Sequence, residues 1–188
     1  PIHLRWVSGA DSGVRVMDVN GDSLSDFVRA EQGYDKEIWL NNGNGWTQNT
    51  TINFPFYFID EYLNDAGVYL VEVNGDGLVD ILVSRQITSA PATYQKEIWL
   101  NNGNGWTRNS NYKIPFEITT INHADLGLRF FDLNGDGLTD VVISNQSISE
   151  AYINDGNGWV LDSSISVPFR IGPGDADGCR LSDVNGDG

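Results

Sequence analysis

Asp18, Asn20, Asp22 and Asp26 set four oxygen-bearing side chains at positions 1, 3, 5 and 9 of the phrase DVNGDSLSD. The phrase recurs as EVNGDGLVD, with Glu72, Asn74, Asp76 and Asp80, and as DLNGDGLTD, with Asp132, Asn134, Asp136 and Asp140. A fourth copy, with Asp183, Asn185 and Asp187, breaks off at Gly188. Oxygen ligands at this spacing suit a hard cation that takes about six to eight oxygens at roughly 2.3–2.6 Å, which is Ca²⁺. At position 7 the backbone carbonyls of Leu24, Leu78 and Leu138 would turn inward, leaving their side chains free to be apolar. Gly21, Gly75 and Gly135 allow the sharp turn. No Cys or His shares the pattern, which disfavours zinc and copper. Magnesium wants a tighter octahedron and keeps its waters. Asp-Asn-Gly clusters are also ordinary turn chemistry, but three full copies with identical ligand positions favour an ion.

The loop is not an EF-hand, which needs a bidentate Glu at position 12 and flanking helices. Position 12 here is Arg29, Val83 or Ile143, and the flanks (VRVMDV, VYLVEV, LRFFDL before; LSDFVRA, LVDILVS, LTDVVIS after) read as strands. The repeat extends beyond the loop. Gly13, Gly67, Gly127 and Gly178 each precede the first acidic ligand by five residues. Downstream, EIWLNNGNGWT (Glu37 to Thr47), its repeat (Glu97 to Thr107) and AYINDGNGWV (Ala151 to Val160) each read as a hairpin with an Asn/Gly tip. Pro55, Pro115 and Pro168 then mark the next phase, each followed by Phe.

These elements predict an all-β chain of propeller blades, each of four antiparallel strands A to D, with about three full blades and the start of a fourth. The boundaries fall at 1–54, 55–114, 115–167 and 168–188. Strands A and B flank the acidic loop; C and D form the hairpin. A closed propeller needs at least about four blades, so the repeats are expected to belong to a longer chain of about six to eight.

GVRVMDVNGDSLSDFV…EIWLNNGNGW resembles the FG-GAP or VCBS-type repeats of calcium-bearing β-propellers, known from the integrin α-subunit head, from lectins and polysaccharide-degrading enzymes, and from shell proteins of bacterial toxin complexes. The resemblance covers essentially the whole chain and implies calcium at the acidic positions named above. Two departures stand out. Glu72 replaces Asp at position 1, and Ser23 replaces Gly at position 6, where it is expected to strain the turn.

The net charge is −15, and eleven of the acidic residues lie in the loops. Three Ca²⁺ ions would offset six of those charges. The remaining acidity argues against nucleic acid and anionic membranes as partners, and no apolar run is long enough for a membrane span. Cys179 is the single cysteine and occupies the apolar slot of Val14, Val68 and Leu128, so it reads as a small hydrophobe. His3 and His123 recur in no other repeat. No catalytic constellation stands apart from the calcium pattern, and the chain is expected not to be an enzyme. Trp39 and Trp46, Trp99 and Trp106, and Tyr152 and Trp159 recur in phase, as residues packed between blades would.

Topology predicts that the acidic loops and hairpin tips share one end of each blade, and that B–C loops and D–A connectors share the other. That far end varies, above all in the second repeat. Gln86 to Tyr94 and the connectors Tyr57 to Asn64 and Glu117 to Asp125 are therefore the candidate contact segments, with Gln86, Tyr94, Tyr57 and Tyr62 foremost. The expected function is a calcium-stabilised extracellular binding or adhesion module for protein or carbohydrate. The alternative is a structural segment of a larger secreted assembly that contacts neighbouring subunits; a polysaccharide-active enzyme is the third reading. Short acidic loops suit the calcium levels outside cells. The sequons at Asn49 and Asn145 fit a secreted protein but are as frequent as this composition produces by chance.

Overall fold

A computed structural model describes residues 11–118, 126–168 and Arg170. Twelve β-strands and no helix occur among them: β1 Val14–Met17, β2 Asp26–Arg29, β3 Glu37–Asn41, β4 Trp46–Asn49, β5 Val68–Val71, β6 Asp80–Ser89, β7 Ala92–Asn101, β8 Trp106–Asn109, β9 Leu128–Phe131, β10 Asp140–Ser144, β11 Ser149–Asn154 and β12 Trp159–Leu161. They form three four-stranded antiparallel sheets in the orders β1-β2-β3-β4, β5-β6-β7-β8 and β9-β10-β11-β12. Each is an up-and-down blade of the propeller type, as the repeat predicts. The fourth repeat, with Cys179, lies outside the described residues, as do His3 and His123.

Burial follows strand position. Strand B lies inside each sheet, and its third-blade representative, β10, is buried along its whole length. That is why DILVS and DVVIS show no clean alternation: both faces are covered. Strand D is the outer edge, and polar WTQN of β4 is mostly exposed. Gly13, Gly67 and Gly127 enter strand A at φ of 63°, 68° and 75°. At Gly13 a Cβ would lie 2.9 Å from the carbonyl oxygen of Ala30, so the position excludes a side chain on space as well as on backbone conformation.

The chain divides into two compact units, the first within Pro1–Leu70, Gly77–Val83 and Glu97–Ser110, the second within Val71–Asp76, Ser84–Lys96 and Asn111–Gly188. The core of the first joins Val19, Val28, Ile38, Phe54, Phe58, Val68, Ile81 and Val83. Full burial of each such side chain contributes about 1.5–3 kcal/mol. Phe54 meets Trp106 edge-on at 5.3 Å, and Phe56 meets Trp99 at 5.4 Å. In the second unit Val142 and Ala151 carry Phe131, Leu133, Ile165 and Val167, and Trp159 packs on Tyr112 and Phe116 at 5.2 and 5.3 Å. Trp99, Trp106, Tyr152 and Trp159 are therefore packing residues. Trp46 differs: it is 48% exposed and rests on Phe27 of its own blade.

The connectors depart from the expected topology. Lys113 pairs with Asn157 and Trp159 beside the hairpin tip of the third blade, and only afterwards does the chain reach Ser84 through the N–H of Ile118. The first half of this D–A connector thus passes the loop end, because Tyr112 is drawn there by bonds from its hydroxyl.

Candidate functional site

The acidic loops are closed by their own backbone. Asp18 accepts from the N–H groups of Gly21 (2.8 Å), Asp22 (3.3 Å) and Ser23 (2.7 Å). Asn20 Nδ2 donates to Asp22 Oδ2 at 3.0 Å. The third loop repeats this: Asp132 accepts from Gly135, Asp136 and Gly137, and Asn134 donates to Asp136 at 2.8 Å. Burial works to raise the Asp132 pKa, but the N–H groups of Gly137, Gly135, Asp136 and Asn134 outweigh it and hold the carboxyl below its ordinary value. Glu72 uses its longer arm to accept from Asn74 and Gly75, both at 2.9 Å. Gly21, Gly75 and Gly135 have φ of 80°, 78° and 77°. Ser23 is forced to φ 69°, where the other loops have Gly77 and Gly137. The expected strain at this departure is present and costs on the order of 1–3 kcal/mol.

Position 9 is a different kind of residue. Asp26, Asp80 and Asp140 are fully buried. Asp26 accepts from Val19 N at 2.9 Å and Asn41 N at 2.7 Å, so one carboxylate ties the start of the loop to the end of β3. Asp140 does the same with Leu133 and Asn154, and Asp80 accepts from Asn101 N at 2.7 Å. Burial raises the pKa of Asp26 and Asp140, their backbone donors lower it, and the two upstream carboxylates of the same loop raise it again; the net direction is up.

These loops suit a calcium ion in donor chemistry and charge. Every side-chain donor the loops offer at positions 1, 5 and 9 is a carboxylate oxygen, and position 3 adds an amide oxygen. Asp22 and Asp18 repel Asp26, Asp136 and Asp132 repel Asp140, and no Lys or Arg pairs with any of these six among the described residues. A divalent cation is the group that would reverse this repulsion. The carboxylates do not form a ready-made cluster among the described residues; their oxygens are turned to backbone N–H groups. Asp183, Asn185 and Asp187 lie outside the described residues.

Sequence reading missed how repeats are joined at this end. Asn101 Nδ2 donates to the carbonyl of Val19 in the preceding repeat at 2.9 Å, and Asn154 Nδ2 donates to that of Val73 at 2.9 Å. Leu78 seats its Cδ2 where a Cβ on Gly21 would be 2.7 Å away, and Leu138 does so over Gly75 at 3.3 Å. The loop glycine thus serves two ends, the turn and the seat for the next repeat's leucine. The signal was in the sequence: Asn41, Asn101 and Asn154 open the tip of each hairpin.

The far end holds the candidate contact residues. Gln86 to Tyr94 is not a loop: β6 and β7, ten residues each, run on as a hairpin that turns at Ala90 and Pro91. The β-branched and aromatic residues Ile87, Thr88, Thr93 and Tyr94 favour the extended chain that carries the pairing outward. Ile87 and Tyr94 stand 52% and 46% exposed, and Gln86 Nε2 is bonded to Thr88 O. Tyr62 is 75% exposed at the tip of the turn that Asp60 closes by accepting from Tyr62 and Asn64. Tyr57 is half-buried against the first core with Lys36 Nζ 4.6 Å from its ring centre, so it is a packing residue first. Most of Glu117 to Asp125 lies outside the described residues. A groove of about 310 Å³ at the β10–β11 turn, lined in part by Asn145, Gln146, Ser147 and Arg170, was not anticipated.

Three stacked-strand blades, each closed by an acidic loop, define a β-propeller-type repeat protein. Residues 18–83, 73–143 and 132–188 match the FG-GAP-like repeat, and the chain belongs to that family. No curated protein matches the sequence. A lectin of Agrocybe aegerita, whose structure explains specific recognition of non-reducing terminal N-acetylglucosamine, is similar with a TM-score of 0.53 and 18% identity. The match covers 79% of this chain and 37% of the lectin chain, and at that identity it speaks for the fold alone.

Proposed function

We propose that the chain is a calcium-stabilised binding module of an extracellular protein, recognising protein or carbohydrate at the end of its blades away from the acidic loops, without catalysis. The observation that carries this reading is the contrast between the ends. The loop end is spent on bonds that recur from repeat to repeat. At the far ends of the individual blades, the first unit exposes Tyr62, and the second unit carries a projecting hairpin with Ile87 and Tyr94 exposed and a polar groove. Rigid scaffolds commonly present binding residues on such variable segments. Asp18, Asn20, Asp22, Asp26 and the Leu24 carbonyl would hold one ion, and their counterparts in the other loops the rest; the ion would supply charge compensation and cross-link the loop.

Replacing Gln86 to Tyr94 by a short Gly/Ser turn tests the placement, using pull-down against extracellular extracts followed by titration with the partner obtained. The reading expects folding to be kept and affinity to fall at least tenfold. Undiminished affinity would remove the hairpin from the site. A second reading, a structural segment in contact with neighbouring subunits, is favoured by one observation: Val16 and Trp46 leave apolar surface on the first blade 54% and 48% exposed. Concentration-dependent self-association lost in Trp46→Ser would support it.

A further inference from the structure

The groove at the far end of the third blade is built from groups that donate and accept hydrogen bonds. Asn145 shapes it. Its N–H donates to Ile148 O at 2.8 Å, its Oδ1 accepts from Ser147 N at 2.8 Å and Ile148 N at 3.0 Å, and its Nδ2 donates to Leu126 O at 2.9 Å. With Asn145 committed to the turn, Gln146 and Ser147 sit at its exposed tip with side chains that make no hydrogen bond among the described residues. Ser149 Oγ donates to Val167 O at 3.3 Å, which brings Val167, Pro168 and Arg170 alongside as the second wall. Arg170 is exposed and pairs with no carboxylate among the described residues, whereas Arg15, Arg29, Lys96 and Arg108 each have one.

We propose that this groove binds an anionic sugar residue, its carboxylate or sulfate on Arg170 and its hydroxyls on Gln146 and Ser147. The inference rests on the binding-module reading and narrows it to one ligand class and one place. A guanidinium is a planar fork that matches a carboxylate or sulfate with two parallel bonds. A primary amide and a hydroxyl offer donor and acceptor together, which vicinal hydroxyls require. Ile148, Val167 and Pro168 give the C–H face of a sugar ring an apolar surface. The volume lies at the lower end of the range of about 300–1,000 Å³ for small-ligand sites, which suits one ring rather than an extended chain. In a chain of net charge −15, a guanidinium with no carboxylate partner among the described residues gives this groove a local attraction for an anion.

Amide NMR spectra of the ¹⁵N-labelled chain, titrated separately with glucuronate, glucose 6-sulfate, glucose and acetate, test it. The expected result is saturable shifts at Gln146, Ser147 and Arg170 with one or both anionic sugars, and much weaker binding of glucose and acetate. Arg170→Ala should weaken that binding by about tenfold or more, the usual loss of a charge-assisted bond. Lys113→Ala, which removes an equal charge elsewhere, should not. Glucose binding as tightly as the anionic sugars, acetate doing so, an unaffected Arg170→Ala, or no shift at the groove with any probe would each overturn the proposal. A chain that holds a partner through its 86–94 hairpin and ignores these sugars loses this inference and keeps the broader reading. Sugar binding in the groove with an indifferent hairpin does the reverse for the hairpin's part.

Discussion

Five residues past the buried aspartate, the three blades diverge: Glu31, Arg85 and Asn145 occupy the same place at the far end. Glu31 is buried with its Oε2 unpartnered, Arg85 is held by Gln95 Oε1 through Nε and Nη2 at 3.0 and 2.8 Å, and Asn145 caps a turn. At the loop end bonds recur instead: aspartate to the hairpin backbone in all three blades, and asparagine to the preceding repeat and leucine onto its glycine in the second and third. Bonds shared between repeats constrain every copy alike, since a change in one breaks its neighbour's partner. The far end shares a backbone bond between repeats, Phe58 N–H to Ala30 O at 2.8 Å and Ile118 N–H to Ser84 O at 3.2 Å, but the side chains at 31, 85 and 145 differ, so each blade solves that position separately. The recurring side-chain bonds lie at the loop end, and the side chains that differ from blade to blade lie at the other.

The widest test is metal removal. If calcium occupies the loops, each site contributes about 2.7 kcal/mol at a hundredfold excess over Kd. Chelation should then lower Tm by many degrees, and Asp76→Ala should lower it less and blunt the response. A melting curve indifferent to EDTA would end the calcium proposal. Next comes Asp140→Ala, which leaves the N–H groups of Leu133 and Asn154 without their acceptor. At about 1–3 kcal/mol per buried unsatisfied donor, denaturant unfolding should show a loss of several kcal/mol with calcium or without it. A loss seen only in calcium would make this aspartate a ligand and nothing more.

Asn101→Ala and Asn41→Ala separate the seam from the blade. Asn101 bonds the preceding repeat through Val19 O, while Asn41 Nδ2 reaches only Ser25 O of its own blade. The first substitution should cost about 1–2 kcal/mol more than the second; equal costs would show that the inter-repeat bond adds nothing. Relief of the left-handed Ser23 by Ser23→Gly should stabilise by about 1 kcal/mol, or roughly 2–4 °C in a chain of this size.

The smallest effect belongs to the far end. Burial raises the Glu31 pKa, Arg29 works against the shift and Asp11 adds to it. The folded chain therefore holds a proton that the unfolded chain has already released. Stability should fall as pH rises from the ordinary glutamate range through the raised folded value, and level off beyond. Glu31→Gln should remove that slope and stabilise the chain at neutral pH by on the order of 1 kcal/mol. An unchanged pH profile would mean that Glu31 finds a counter-charge in solution.

Spacing alone determined a great deal about this protein. Oxygen donors at positions 1, 3, 5 and 9, glycine at 4 and a hairpin tip at fixed distance define four strands per repeat, because a turn and a strand period are local properties written in adjacent residues. Family and blade architecture followed from the same local phrases. Three matters were decided only in three dimensions. Asp26, Asp80 and Asp140 read in the sequence as one more oxygen donor of the loop; the structure adds that they are buried acceptors for backbone 14 to 21 residues away. Leu78 reads as a carbonyl donor and Asn101 as part of a hairpin, yet their side chains seat one repeat on the last. Gln86 to Tyr94 looks like a loop, yet it pairs as strand. Each depends on which distant group lies opposite, and a sequence records the order of residues along the chain rather than who faces whom across it.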